Sequence, residues 1–120
     1  MLITTQNKEP RMIEKVYTMS TRTEHVIEPV LTDGYINYMH MVLLKDEALP
    51  THYTNANIYM TVVTGTMHLS LSDGEFRVYP SGSVVNVPFK TKMIAQNRGE
   101  ETLELIVVKS PAPGSEIYKS

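Results

Sequence analysis

The stretch His52-Tyr53-Thr54-Asn55-Ala56-Asn57-Ile58, followed after six further residues by Gly65, decides the fold when it is read together with a second stretch. The second stretch has Gly82, five residues, Pro88, then Met93, three residues and Asn97. Positions 52 and 54 share one face of an extended strand, because side chains alternate along a strand with a period of two. Gly65, Gly82 and Pro88 stand where a chain that reverses direction repeatedly needs turns. Asp73-Gly74, between the two stretches, is a two-residue hairpin signal.

Outward from these motifs the chain repeats the same alternation of short apolar segments and turn residues. Asp33-Gly34 separates Val26 to Leu31 from Tyr35 to Leu44, and Asp73-Gly74 separates Met67 to Leu71 from Glu75 to Tyr79. Pro80-Ser81-Gly82 and Asn97-Arg98-Gly99 precede the segments Val84 to Val87 and Thr102 to Val108. No helical stripe is sustained over three turns, so an all-β domain of seven or eight strands is expected. Met39 to Leu44, Met60 to Val63 and Leu105 to Val108 are apolar on both faces. A closed or double-sheet jelly roll covers one face, and the other needs the N-terminal segment or a second subunit.

Composition narrows the function classes. A chain of 120 residues with 42% hydrophobic residues suits one domain, 1–120. Residues 1–10 read as an arm and 111–120, with two prolines and a glycine, as a loose tail. Thirteen acidic and eleven basic residues are scattered without a basic stripe, which argues against nucleic acid as a partner. With no cysteine, thiol nucleophiles, thiolate metal sites and disulfides are excluded. No secretory signal core and no membrane-length apolar run are present, so a cytoplasmic protein away from the membrane is expected.

The two stretches resemble the paired motifs of a small single-domain cupin, over residues 35 to 110. The resemblance implies a cupin-like double-stranded β-helix, a jelly-roll barrel. In that family the motifs supply His-x-His, a Glu and a further His, which converge on a divalent transition metal. Here only His52 matches, and Thr54, Ile58 and Met93 occupy the other three positions. A hydroxyl, an aliphatic side chain and a thioether are poor company for manganese, iron or zinc. No cofactor is therefore expected, although a divalent transition metal is left open, with His52 and His40 as the ligands if one binds. Lys90 stands where the second motif usually has Gly, which implies a rebuilt or strained turn.

The candidate pocket comprises Tyr38, His40, His52, Thr54, Ile58, Met60, Met67 and Met93. His40 alternates with Ile36, Tyr38, Val42 and Leu44, a register that would let it face the barrel beside His52. The alternative is an ordinary buried histidine with satisfied nitrogens. Met39, Met41, Met60, Met67 and Met93 form a sulfur-rich set suited to filling core gaps or to lining an apolar cavity. The leading functional expectation is a small-molecule-binding barrel with an apolar, metal-poor pocket, working as a homodimer. One alternative is an isomerase, lyase or cyclase in which His52 is catalytic and moves a proton. Another is a metal-dependent oxygenase with a relocated site built on His40 and His52.

Overall fold

The computed structural model describes residues 12–119, so the expected arm at 1–10 lies outside the described residues. Nine strands are formed among them: β1 (Val26–Thr32), β2 (Asn37–Leu43), β3 (His52–Tyr53), β4 (Ile58–Thr64), β5 (Thr66–Leu71), β6 (Arg77–Pro80), β7 (Val84–Val87), β8 (Lys92–Gln96) and β9 (Leu103–Lys109). A single 3-10 turn follows at Glu116–Tyr118. The strands make a five-stranded sheet of order β1-β2-β9-β4-β7 and a four-stranded sheet of order β3-β8-β5-β6, with antiparallel pairing between neighbours. The sheets enclose a core that includes Met41, Leu43, Ile58, Met60, Val62, Met67, Leu69, Met93, Leu103, Leu105 and Val107. This is the jelly-roll architecture expected from the punctuated strand pattern.

Register explains which residues reach the interior. In β9 the alternation Leu103, Leu105, Val107 faces the core, and its partners in β4, Val62 and Met60, face the same way. In β2 the inward set is Met41 and Leu43, with Met39 packed against their cluster. Tyr38, His40 and Val42 consequently point to the outer face of the five-stranded sheet. Each buried methionine or leucine contributes roughly 2–3 kcal/mol by leaving water, so a one-residue slip of β2 would reverse a large stabilising set.

The hairpins form where Asp-Gly predicts them, but neither uses that pair in the expected way. The left-handed residues of the β5–β6 turn are Ser72 and Asp73, with φ of 52° and 62°, and the Gly74 amide donates to the Leu71 carbonyl at 2.9 Å. The turn is thus centred one residue earlier than Asp73-Gly74. At the β1–β2 turn, Asp33 acts through its side chain, whose carboxylate accepts from the Tyr35 and Ile36 amides at 2.8 and 3.0 Å. Asp favours turns for this reason as well as for its tolerance of positive φ.

Two glycines of the motif pattern have distinct backbone reasons. Gly65 has φ of 79°, and a Cβ there would lie 2.5 Å from the Thr102 carbonyl oxygen of the neighbouring chain segment. Gly82, at φ of 90°, sits in open space, so conformation alone accounts for it. In the C-terminal segment, Tyr118 contacts the barrel. The Tyr118 ring packs on Phe89 with centroids 4.6 Å apart, and its hydroxyl accepts from the Asn57 amide at 3.0 Å.

Candidate functional site

At one mouth of the barrel the two motifs meet. His52 and Met93 are direct cross-strand partners in the β3–β8 pair, so their side chains lie on one face. Ile58 opens β4 on the inward face, and both Ile58 and Met93 are only 3% exposed. Together with Met41, Leu49, Thr54, Asn55, Met60, Val107 and Lys109 they line a cavity of ≈ 50 Å³. One water needs about 10–15 Å³ on this measure, so the cavity has room for about four water-sized positions.

The polar groups are few and their partners define what is free. Thr54 Oγ1 donates to the Pro88 carbonyl at 2.7 Å and accepts from the Thr91 amide at 2.9 Å. Its backbone joins the same loop, through Thr54 N to Thr91 O and Lys90 N to Thr54 O. Thr54 therefore fastens the second motif's loop and has little left for a ligand. Lys90 in that loop has φ of 65°, the left-handed conformation its motif position demands. His52 is exposed at the mouth, and its Nδ1 lies 2.7 Å from the Pro50 carbonyl oxygen. A carbonyl only accepts, so Nδ1 carries a proton, and in the neutral imidazole Nε2 is then the acceptor. Lys109 Nζ donates to Asn55 Oδ1 at 3.0 Å, and burial lowers its pKa below the usual lysine value.

Not all of the expected pocket residues are brought together. His52, Thr54, Ile58, Met60 and Met93 line the cavity, whereas Met67 is fully buried in the core and is not among its walls. Tyr38 and His40 lie on the opposite side of β2, outside the barrel. The expectation that His40 could face His52 is corrected by register: inward residues of β2 are the odd-numbered Met39, Met41 and Leu43. A relocated His40–His52 metal site, and the oxygenase reading built on it, fall with that geometry.

His40 has a different environment. It is fully buried, with Nδ1 2.7 Å from Glu28 Oε2 on β1 and Nε2 2.7 Å from Glu104 Oε2 on β9. Burial pushes its pKa down, but hydrogen bonds to Glu28 and Glu104 and their charges outweigh this, so the net shift is upward. The Glu28 carboxylate is held low by the His40 hydrogen bond and by the Ser20 amide, which donates to the same Oε2 at 2.9 Å. The alternation pattern alone does not reveal this network, since Glu28 and Glu104 are distant from His40 in sequence.

The metal that the barrel's motif positions bring to mind does not fit these residues. Thr54 is engaged by backbone, Ile58 has no donor, and Met93 offers a thioether, which leaves His52 alone. Among the described residues no group of three or more His, Cys, Asp or Glu side chains could hold an ion. The sequence reading also missed Lys109, which period-two alternation from Leu105 and Val107 would have placed on the inward face. Beside the second motif, Lys92 pairs with Asp73 at 2.7 Å and Arg98 stacks over Phe76.

The chain is 38% identical over 103 residues to an uncharacterized protein of Methanocaldococcus jannaschii, MJ0764, an alignment covering 85% of this chain and 89% of that protein. The crystal structure of that relative, described as an RmlC-like cupin family protein with a double-stranded β-helix fold, superposes with a TM-score of 0.81. It covers 84% of this chain and 94% of the relative, at 37% identity. The chain belongs to the RmlC-like cupin family. An RmlC-like cupin from Desulfovibrio desulfuricans shares the fold at 18% identity and a TM-score of 0.66, covering 88% of this chain and 97% of that one. A cupin superfamily protein from Desulfitobacterium hafniense does so at 8% identity and 0.65, covering 78% and 83%. No family profile matches the sequence. This cupin thus keeps the barrel while three of its four motif ligand positions carry non-ligating or weakly ligating side chains. No helix among the described residues is long and apolar enough to cross a membrane.

Proposed function

We propose that this cupin binds a small organic molecule at the mouth of its barrel. The observation that carries the reading is the cavity itself: apolar walls from Met41, Ile58, Met60, Met93 and Val107, with His52, Asn55 and Lys109 as its polar handles. Pockets that bind small molecules combine such a lining with a few convergent polar groups. At ≈ 50 Å³ the cavity is far below the roughly 300 Å³ of pockets for drug-sized ligands, so the ligand is a molecule of a few non-hydrogen atoms or one that enters by moving methionines. Titration of isotope-labelled protein with 2-propanol, acetamide and acetate, followed by amide chemical shifts, tests this. Saturable shifts around Ile58, Met60 and Met93 are expected with at least one solute, and their absence with all three refutes the pocket.

The His52 geometry also favours a second reading, proton transfer by an isomerase, lyase or cyclase. With Nδ1–H fixed on Pro50, Nε2 is an acceptor at the pocket entrance. A His52→Ala variant that keeps ligand affinity and loses turnover on the eventual substrate supports it; equal turnover removes it. The working unit we propose is a homodimer. Ile13 and Val16 are 98% and 72% exposed on an N-terminal segment without secondary structure, and Tyr59, Val63 and Val84 are exposed on the five-stranded sheet. A second copy would cover these surfaces. Sedimentation of the full chain at micromolar concentration checks this, and a strictly monomeric species overturns it.

A further inference from the structure

We infer that Lys109 makes this pocket selective for small anions, carboxylates above all, by presenting a fixed ammonium where the barrel's missing ligand set would have held a metal cation. The inference deepens the small-molecule reading and rests on it. Lys109 ends β9 on the same alternating face as Leu105 and Val107, directly opposite Ile58 in the β9–β4 register. Ile58 occupies the motif position of the family's acidic ligand, so at this pair the side chain of the would-be acid is neutral and its neighbour is cationic. Of the cavity's lining residues, Lys109 is the one drawn from Lys, Arg, Asp and Glu.

Among the described residues the ammonium has no carboxylate partner, and its hydrogen bond is to the neutral Asn55 amide oxygen. A lysine amine has three donors, so two remain after Asn55. Apolar walls on several sides reduce its hydration, and the downward pKa shift from burial agrees with an under-solvated cation. An anion entering the pocket would restore the lost solvation, and carboxylate oxygens match the geometry of charge-assisted N–H donors. The cavity sets the size. Room for about four water-sized positions corresponds to a molecule such as acetate, whose methyl would meet Ile58, Met60 and Met93. So few atoms limit affinity to roughly the millimolar range, which fixes the method.

The test compares acetate with acetamide, its neutral analogue of similar shape, by amide shift titration of the full chain at constant ionic strength. Acetate is expected to bind with saturable shifts at Asn55, Ile58 and Lys109, and acetamide to bind at least about tenfold more weakly, as loss of a charged hydrogen-bond partner implies. Lys109→Met, which keeps the length and packing of the stem, is expected to abolish this preference, while Lys109→Arg retains it. The surface variant Lys45→Met is expected to behave as the parent. Acetate should also raise the Lys109 pKa, read from its side-chain carbon shifts against pH. Equal binding of acetate and acetamide, or an unchanged acetate preference in Lys109→Met, overturns the inference and leaves the pocket standing. Binding of neither solute overturns the inference, and the pocket falls with it when 2-propanol also fails to bind.

Discussion

Replacement of His40 by Gln should cost this cupin about 2 kcal/mol at pH 6. His40 is fully buried and makes two 2.7 Å contacts, one to Glu28 and one to Glu104, which join β1, β2 and β9 across the outer face of the sheet. A neutral imidazole could donate to only one of two carboxylates, so the pair of short contacts describes the imidazolium form. Breaking a buried pair by removing one partner typically costs about 3–5 kcal/mol. The carboxylate side chains here are 27% and 31% exposed and can turn to water, which brings the expected loss for the His40 replacement down to about 2 kcal/mol. For a domain of this size that corresponds to a melting temperature lower by about 8 °C.

The pH dependence separates this network from simple packing. A histidine whose folded-state pKa is raised above 6.5 contributes stability that is fully present below 6.5 and is lost as pH rises through the raised value. Glu28 acts with the opposite sign: its pKa is lowered from 4.5, so its contribution is present above 4.5 and is lost as pH falls through the lowered value. The difference between parent and His40→Gln should therefore be largest between these two values and shrink on the alkaline side. Arg22, whose charge also favours ionised Glu28, leaves these signs unchanged. Thermal denaturation by circular dichroism at pH values from 5 to 9 reads the effect. A stability difference that stays constant over that range would refute the charged-network reasoning, even if the variant is destabilised.

Three further outcomes are expected. Ile58→Asp should destabilise the fold by about 3 kcal/mol or more in urea denaturation unless Lys109, opposite it in register, neutralises the new charge, and the double change with Lys109→Met removes that rescue. An Ile58→Asp protein as stable as the parent in the Lys109→Met background would mean the position is wet. Lys90→Gly should raise stability by about 0.5–1 kcal/mol, because a left-handed non-glycine backbone at φ of 65° is relieved; an equal loss would show that the Lys90 contact with the Phe89 ring matters more. The combined Thr54→His, Ile58→Glu and Met93→His protein should gain calorimetric affinity for nickel or zinc that the parent lacks, although His at 54 forfeits the bonds that fasten the Pro88 loop. Tight one-to-one binding by the parent would contradict the reading of its donor set.

How much of this was legible in sequence depends on whether the relevant physics is local. Turn residues and apolar alternation are local signals, so the jelly roll and the position of both hairpins could be read from Asp33-Gly34, Asp73-Gly74 and the segments around them. Turn detail could not: whether the left-handed pair is Ser72-Asp73 or Asp73-Gly74 is decided by the register of β5 against β6. The side of β2 that faces inward was also unreadable, because Tyr38, Val42, Met39, Met41 and Leu43 are all compatible with burial. Only pairing with β9 sets Met41 opposite Leu105 and His40 opposite Ile106, and this sends His40 outward. Lys109 was missed for another reason. A cation ending an apolar strand looks like a solvated terminus until the strand's parity is known.

The structure also shows which motif residues the cupin barrel itself needs. The motif residues divide into those that the backbone requires and those that point into the cavity. Gly65 belongs to the first group, since any Cβ there meets the Thr102 carbonyl at 2.5 Å. Asn97 belongs to it as well: fully buried, it donates from its side chain to the Leu43 and Glu101 carbonyls and accepts from the Gly99 amide. Changing either would leave a clash or unpaired buried groups. Ile58 and Met93 belong to the second group. Their side chains pack with Met60 in the core, and this apolar contact stabilises the mouth of the barrel. Gly65 and Asn97 are thus held by the backbone's needs, whereas Ile58 and Met93 are held by apolar packing alone. Lys109, opposite Ile58 in the register of β9 and β4, adds a cation to this second group, and the proposed preference for small anions rests on it.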